Sequence, residues 1–224
     1  MRYIIAFVLS MFLVSCGGGD SSNNALPENP PSPPTISENC EDYDNNVKRC
    51  RLTWDNISRT YYIKIPIQAS ENNSLPLLIS MHGYGGNALS HINYTNFKNI
   101  ADREGFYLIY PQGANLPSYL GGSTHWNVGG FTSKSTIDDL GFINQIIENV
   151  SLNYNLDKNR IYATGMSNGG YMSYALACNM SDKIAAIASV TGSMTNDTYD
   201  ECATTRPVPV LQIHGLRDVI VPYI

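Results

Sequence analysis

Ile161-Tyr162-Ala163-Thr164-Gly165-Met166-Ser167-Asn168-Gly169-Gly170-Tyr171-Met172 is the stretch on which the fold turns. A short β-branched and aromatic run passes straight into Gly-x-Ser-x-Gly, and a helix-like pattern follows at once. Small residues on either side of the serine let a strand and a helix approach closely. The serine between them takes a strained backbone. Such a turn lifts Ser167 Oγ above the edge of a sheet and aims the N–H groups of the helix start at any developing negative charge. Ser167 is therefore a candidate nucleophile, and the Asn168 N–H a candidate oxyanion donor.

Outward from this turn, strands and helices alternate. Thr60–Ile67 reads as an early antiparallel strand. Leu75–Met81 is a continuous apolar run, as expected of a strand buried on both faces, and it opens into His82-Gly83-Tyr84-Gly85-Gly86-Asn87. Ala88–Glu104 reads as a helix, and Phe106–Tyr110 as a strand stopped by Pro111. Residues 112–134 read as a long loop, and a helix capped by Ser135-Thr136 carries Leu140, Ile143, Ile147 and Val150 at helical spacing. Asp138 and Asp139 at its start suit the positive end of the helix dipole better than a general acid–base pair. Gly170–Met180 is a second helix, and Ile184–Val190 and Val208–Gly215 are further strands. The alternation predicts a mostly parallel sheet with helices on both faces.

A serine nucleophile needs oxyanion donors, a base and an acid that orients the base. The glycine-rich loop after Met81 supplies a second donor through Tyr84, with Gly85 as the alternative. Asp218 lies in the loop beyond a buried strand and a His214-Gly215 turn, where the acid of such a site is expected. Neither His82, which precedes the serine, nor His214, too close to Asp218, fits the base. No histidine follows Asp218, and the chain reaches Ile224 soon after it. The expectation is a domain whose C-terminal part, with the base, lies outside this sequence.

Several of these segments together carry a resemblance. GMSNGGYMSYALAC, IAAIASVTG, LLISMHGYGGN, STIDDLGFINQII and IHGLRDVIVPY, in this order from about Asn56 onward, resemble the polyhydroxybutyrate depolymerase-like esterases. These are allied to the feruloyl and acetyl xylan esterases of carbohydrate esterase family one. The resemblance implies an α/β-hydrolase fold, Ser167 as nucleophile, Asp218 as triad acid, and a substrate-side position for Trp126 near the active-site mouth, with packing inside the loop as the alternative for Trp126. Where such enzymes often have Thr-Ala-Asp before the acid, this chain has Leu216-Arg217-Asp218.

The N-terminal part has a different character. Arg2 precedes an apolar run, Tyr3–Val14, too short to span a bilayer, which ends in Leu13-Val14-Ser15-Cys16. This tetrad looks like a bacterial lipobox, in which Cys16 is acylated and anchors the protein to a membrane. Residues 1–16 read as the lipoprotein signal and 17–38 as a Gly/Ser/Asn/Pro-rich spacer. The remaining segment, 39–224, reads as one catalytic domain of about 180 residues. With Cys16 set aside, four of the five cysteines remain, and three pairings are open to them. Cys40–Cys50 and Cys178–Cys202 are the most local. No spacing suits a metal site, and neither metal nor cofactor is expected.

Apolar content of 43% supports a sizeable core, and a net charge of −5 argues against a nucleic-acid partner. The functional expectation is an exported serine ester hydrolase acting on feruloyl or acetyl esters of plant polysaccharide, or on polyhydroxybutyrate. The alternative is a non-catalytic surface binding module on a hydrolase scaffold that lacks the histidine.

Overall fold

A computed structural model describes residues 38–223. The signal segment, Cys16 and nearly all of the spacer lie outside the described residues. Ten strands and five α-helices follow one another: β1 (Glu38–Asp44), β2 (Val47–Trp54), β3 (Ile57–Lys64), β4 (Leu75–Met81), α1 (Ala88–Tyr94), α2 (Phe97–Glu104), β5 (Tyr107–Pro111), β6 (Ala114–Asn115), β7 (Thr124–His125), α3 (Asp139–Asn153), β8 (Leu156–Met166), α4 (Asn168–Asn179), β9 (Ile184–Val190), α5 (Asn196–Asp200) and β10 (Val210–Ile213). Eight strands form one sheet in the order β1-β2-β3-β5-β4-β8-β9-β10. The first three ladders are antiparallel and those from β5 to β10 are parallel.

The antiparallel end starts with a hairpin, β1–β2, ahead of the first strand expected from the sequence. Asn45 and Asn46 turn β1 into β2, and Asp55 and Asn56 turn β2 into β3, all four with positive φ. Two-residue turns of this kind match the twist of the flanking strands, and Asn and Asp tolerate the left-handed backbone best among non-glycine residues. β1 opens at Glu38, which the sequence reading had placed at the end of the spacer. The register sets Cys40 opposite Cys50, and a disulfide joins them; a second joins Cys178 to Cys202. Each closes a loop of a size that stabilises by roughly 3 kcal/mol in the chain-entropy treatment.

The sheet is covered on both faces, and β5 shows how. All of its residues are buried, but they alternate between two cores. Tyr107 and Ile109 join Leu77, Ile79 and Ile161 under α3 and α4, where Phe142, Ile143, Ile146, Met172 and Leu176 pack. Leu108 and Tyr110 face the other way, onto Ala88, Ile92 and Ala101 of α1 and α2. A strand buried on both sides is apolar throughout, which is why β4 and β5 show no polar alternation in sequence. Each fully buried side chain of this size contributes about 1.5–3 kcal/mol.

Three expectations are corrected. The helix expected over Ala88–Glu104 is two helices, α1 and α2. Thr95 is extended (φ −92°, ψ 134°), and its hydroxyl donates to His91 O, so the hydroxyl competes with the helical ladder. The cap of α3 is Asp138, not Ser135-Thr136: its side chain accepts from Gly141 N–H at 2.8 Å and from Trp54 Nε1–H at 3.0 Å. The stretch 112–134 holds a small antiparallel pair, β6–β7, and 3₁₀ turns at Ser118–Leu120 and Gly130–Thr132. Among the described residues no helix is long and apolar enough to cross a membrane.

Candidate active site

Parallel strands discharge their loops at one edge, and sites form there. β4 ends in the His82–Asn87 loop, β8 ends in Ser167, and β10 ends in the loop that bears Asp218; β4 and β8 are direct neighbours. Ser167 has φ 52° and ψ −120°, a conformation that costs a non-glycine residue about 1–3 kcal/mol. The turn is held shut by Ser167 N–H donating to Val190 O at 2.8 Å. It also requires glycine at two positions. A Cβ on Gly165 would meet Gly169 O at 2.3 Å, and one on Gly169 would meet Met81 O at 2.3 Å.

The loop after β4 abuts the serine: a Cβ built on Gly83 would lie 3.6 Å from Ser167 Cβ. Of its amides, Gly85 N–H donates to Thr124 O at 2.8 Å and Gly86 N–H to Gly83 O at 3.0 Å. Tyr84 N–H has no acceptor among the described residues, so of the two donors considered, Tyr84 is the one left free. Asn168 opens α4, where the first amides have no intrahelical partner.

Trp126 departs from its expected place. Its side chain is 0% exposed, so it touches no substrate. Its indole Nε1–H donates to His82 O at 2.9 Å, and its ring packs on that of His82 at 5.1 Å. Its own peptide is gripped by the Asn168 side chain. Trp126 is thus a buried support beneath the loop after β4, and an apolar ring with one donor is satisfied by a single carbonyl.

The next residue continues the support. Asn127 N–H donates to Asp139 Oδ2 at 2.8 Å, and Asp139 Oδ1 pairs with Arg59 at 2.6 Å, both partners almost wholly buried. Burial pushes the Asp139 carboxyl up, opposed by the Arg59 charge and the Asn127 N–H. Arg59 also lies 3.9 Å above the Phe142 ring. Asp139 is therefore a buried ion-pair member rather than a surface charge at a helix start.

Asp218 Oδ1 accepts from Ile220 and Val221 N–H, each at 2.9 Å. The Val221 and then the Ile220 N–H hold its carboxyl below the usual range, with His214 adding less. Burial, and behind it the charge of Asp218, pushes the Tyr171 phenol up.

None of the four histidines meets Ser167. His82 donates from Nδ1 to Gly83 O at 2.8 Å and accepts Gly113 N–H at Nε2, and burial lowers its pKa. His91 meets Ser80 Oγ at 3.0 Å inside the core. His125 is fixed between Ala114 O and Ser135 Oγ. His214 donates from Nε2 to Val221 O at 2.7 Å, accepts from Gln212 Nε2–H, and stands 3.6 Å from Asp218 Oδ2.

Sequence reasoning missed an aromatic group around the serine. The Tyr84 and Phe131 rings lie 6.4 Å apart and the Phe131 and Tyr171 rings 5.2 Å, both edge to face. Phe131 sits in the Gly130–Thr132 turn, far from Tyr84 and Tyr171 in sequence, so no periodicity connects the three.

A strained serine between β8 and α4, on a parallel sheet clad by helices, makes the fold that of an α/β-hydrolase. The chain belongs to the phospholipase/carboxylesterase family, whose model matches residues 64–224. Among curated proteins, it is 30% identical over 165 residues to a bifunctional acetylxylan esterase/xylanase of Neocallimastix patriciarum, covering 74% of this chain and 22% of that one. It is 31% identical to feruloyl esterase B of Piromyces equi, covering 74% of this chain and 30% of the relative. A probable feruloyl esterase C of Aspergillus clavatus is 29% identical, with 74% and 56% covered. The chain thus spans between about a fifth and three-fifths of the length of these relatives. Among solved structures, a thermostable esterase superposes with TM-score 0.61 at 18% identity, covering 79% of this chain and 48% of that one. An acetyl xylan esterase from Aspergillus awamori gives 0.52 at 17%, covering 74% and 56%.

Proposed function

We propose that the protein is a serine carboxylic ester hydrolase acting on feruloyl or acetyl esters of plant polysaccharide. The observation that carries this reading is Ser167 at φ 52° and ψ −120°, with the Gly83-Tyr84 loop against it. Strain of that kind persists only where the surroundings impose it, and here it exposes a hydroxyl beside free amides. Ser167 Oγ attacks the ester carbonyl, the Tyr84 and Asn168 N–H groups take the oxyanion, and the alcohol leaves. Water then attacks the acyl-enzyme and releases the acid. Asp218 is the acid that orients the base. The curated feruloyl and acetylxylan esterases support this substrate class over polyhydroxybutyrate. We further propose export, with acylation of Cys16 behind the Leu13-Val14-Ser15 run.

Release of ferulate or acetate from xylan by the protein, lost in Ser167→Ala, tests the activity. Hydrolysis of polyhydroxybutyrate with none from xylan would reverse the substrate order. Intact-mass analysis of envelope protein tests the anchor, and a mature N-terminus other than Cys16 refutes it. Each of the four histidines is hydrogen-bonded to a group other than Ser167, and this favours a second reading, a binding module without turnover. Ser167-independent binding of xylan with no ester cleavage at any pH would establish that reading instead.

A further inference from the structure

Along β10 the apolar Val210, Leu211 and Ile213 are exposed, and the polar Gln212 is half-buried. A polar group turned inward costs free energy unless it is paired, and this amide is paired at both ends. Its Oε1 accepts from the Tyr174 hydroxyl of α4 at 2.9 Å. Its Nε2 donates to Gly192 O at 2.7 Å and to His214 Nδ1 at 2.9 Å. A carbonyl oxygen only accepts, so Gly192 O fixes which end of the amide is nitrogen. The same logic fixes His214, whose side chain is 3% exposed. Val221 O takes a proton from His214 Nε2 at 2.7 Å, which leaves Nδ1 of the neutral ring as the acceptor that Gln212 meets.

One end of this chain of bonds is the serine turn. A Cβ on Gly192 would meet Ser167 O at 2.8 Å and Gly170 Cα at 2.7 Å, so the Gly192 backbone lies against the elbow. The other end is the acid loop. Val221, whose carbonyl His214 holds, gives its own N–H to Asp218 Oδ1 at 2.9 Å, and His214 Nε2 stands 3.6 Å from Asp218 Oδ2. We infer that Gln212 is a positioning residue: its amide ties the backbone behind Ser167 to the loop that bears Asp218, by holding His214 in the Nε2–H tautomer. Ser167 follows β8 and Asp218 follows β10, with β9 between those strands. A fixed link across β9 therefore sets the spacing of nucleophile and acid, and a misplacement of about 1 Å costs such a site roughly 100-fold. Gln212 touches neither substrate nor reacting atoms; it acts through Gly192 and His214. This deepens the hydrolase reading and rests on it for the roles of Ser167 and Asp218.

The test reads the ring-nitrogen NMR shifts of His214 in histidine-labelled protein, and turnover of p-nitrophenyl acetate, in the parent, Gln212→Glu and Gln212→Leu. The parent is expected to show a protonated Nε2 and a bare Nδ1. In Gln212→Glu a carboxylate oxygen has no proton to give, and the signature of a protonated Nδ1 is expected. In Gln212→Leu the Nδ1 signal is expected to move to that of an unpaired nitrogen; this variant adds no charge and serves if the first does not fold. Both variants are expected to lower kcat by roughly 10- to 100-fold with KM changed by less than about twofold. All readings are taken well below the melting midpoint, so lost stability alone moves neither readout. An unmoved His214 signature, or a moved one with unchanged kcat, overturns the proposal. Absence of ester cleavage in the parent defeats the hydrolase reading instead, and the nitrogen shifts, which need no turnover, still decide whether Gln212 sets His214.

Discussion

Asn168 holds the Trp126 peptide from both sides: its Oδ1 accepts the Trp126 N–H at 2.7 Å and its Nδ2 donates to the Trp126 carbonyl at 3.0 Å. The residue whose backbone is proposed as one oxyanion donor thus uses its side chain to fix the loop under the other proposed donor, because Trp126 in turn holds His82 O. Both halves of the proposed oxyanion hole are joined through one amide group. Asn168→Leu keeps the volume but leaves a buried N–H and C=O without partners, each costing about 1–3 kcal/mol. Urea unfolding is expected to show a loss of about 2–4 kcal/mol. A loss under 0.5 kcal/mol would show that the clamp is dispensable.

The buried pair behind that loop behaves differently from a surface salt bridge. Asp139→Asn or Asp139→Leu leaves Arg59, 3% exposed, as an uncompensated buried cation. Breaking one partner of such a pair costs about 3–5 kcal/mol, whereas replacing both by apolar residues is often neutral. Asp139→Leu alone is therefore expected to destabilise strongly, and Arg59→Met with Asp139→Leu to recover most of the loss. Additive losses in the double variant would contradict this account.

Acid sensitivity follows from the core histidine. Burial, and secondarily the nearby His82, lowers His91 from 6.5 to about 4. Below pH 6.5 the unfolded chain binds a proton that the folded chain refuses. Stability is therefore full above about pH 6.5 and declines as pH falls toward 4, by about 2–3 kcal/mol for this group. Ser80 and Tyr110 are the polar neighbours of the ring, and neither carries charge near neutrality. A melting-temperature profile from pH 7.5 to 4 is expected to fall in the parent and fall less steeply in His91→Gln. Parallel profiles would assign the acid loss to other groups.

What the sequence disclosed follows local chemistry. The elbow was legible because Gly165 and Ser167 answer demands met within a few residues, although Gly169 is required by the end of β4, at Met81 O. β4 was legible to its ends because a strand buried on both faces is apolar almost throughout, Ser80 being the exception. The β1–β2 hairpin was missed although Asn45-Asn46 announced its turn, since its outer strand is exposed along nearly its whole length and gives no alternation. Trp126 was misplaced because an aromatic beside a glycine-rich loop looks alike whether it lines a site or supports one. The deciding partners, His82 O and Asn168, are long-range. The Tyr84–Phe131–Tyr171 ring contacts had no local signal at all.

The last prediction concerns the serine itself. At φ 52° and ψ −120° it occupies a region that glycine enters without penalty. Ser167→Ala keeps the Cβ and hence the strain, so its stability is expected to match the parent. Ser167→Gly removes the strain, and although glycine loses more entropy on folding, the relief is larger at a position the fold already fixes. The expected net change is about 1 kcal/mol in favour of the glycine variant, read as a higher urea midpoint with an unchanged slope. Both variants are expected to lose the nucleophile equally. Equal midpoints for Ser167→Ala and Ser167→Gly would mean that the elbow stores no strain, and the exposure of Oγ would then need another cause.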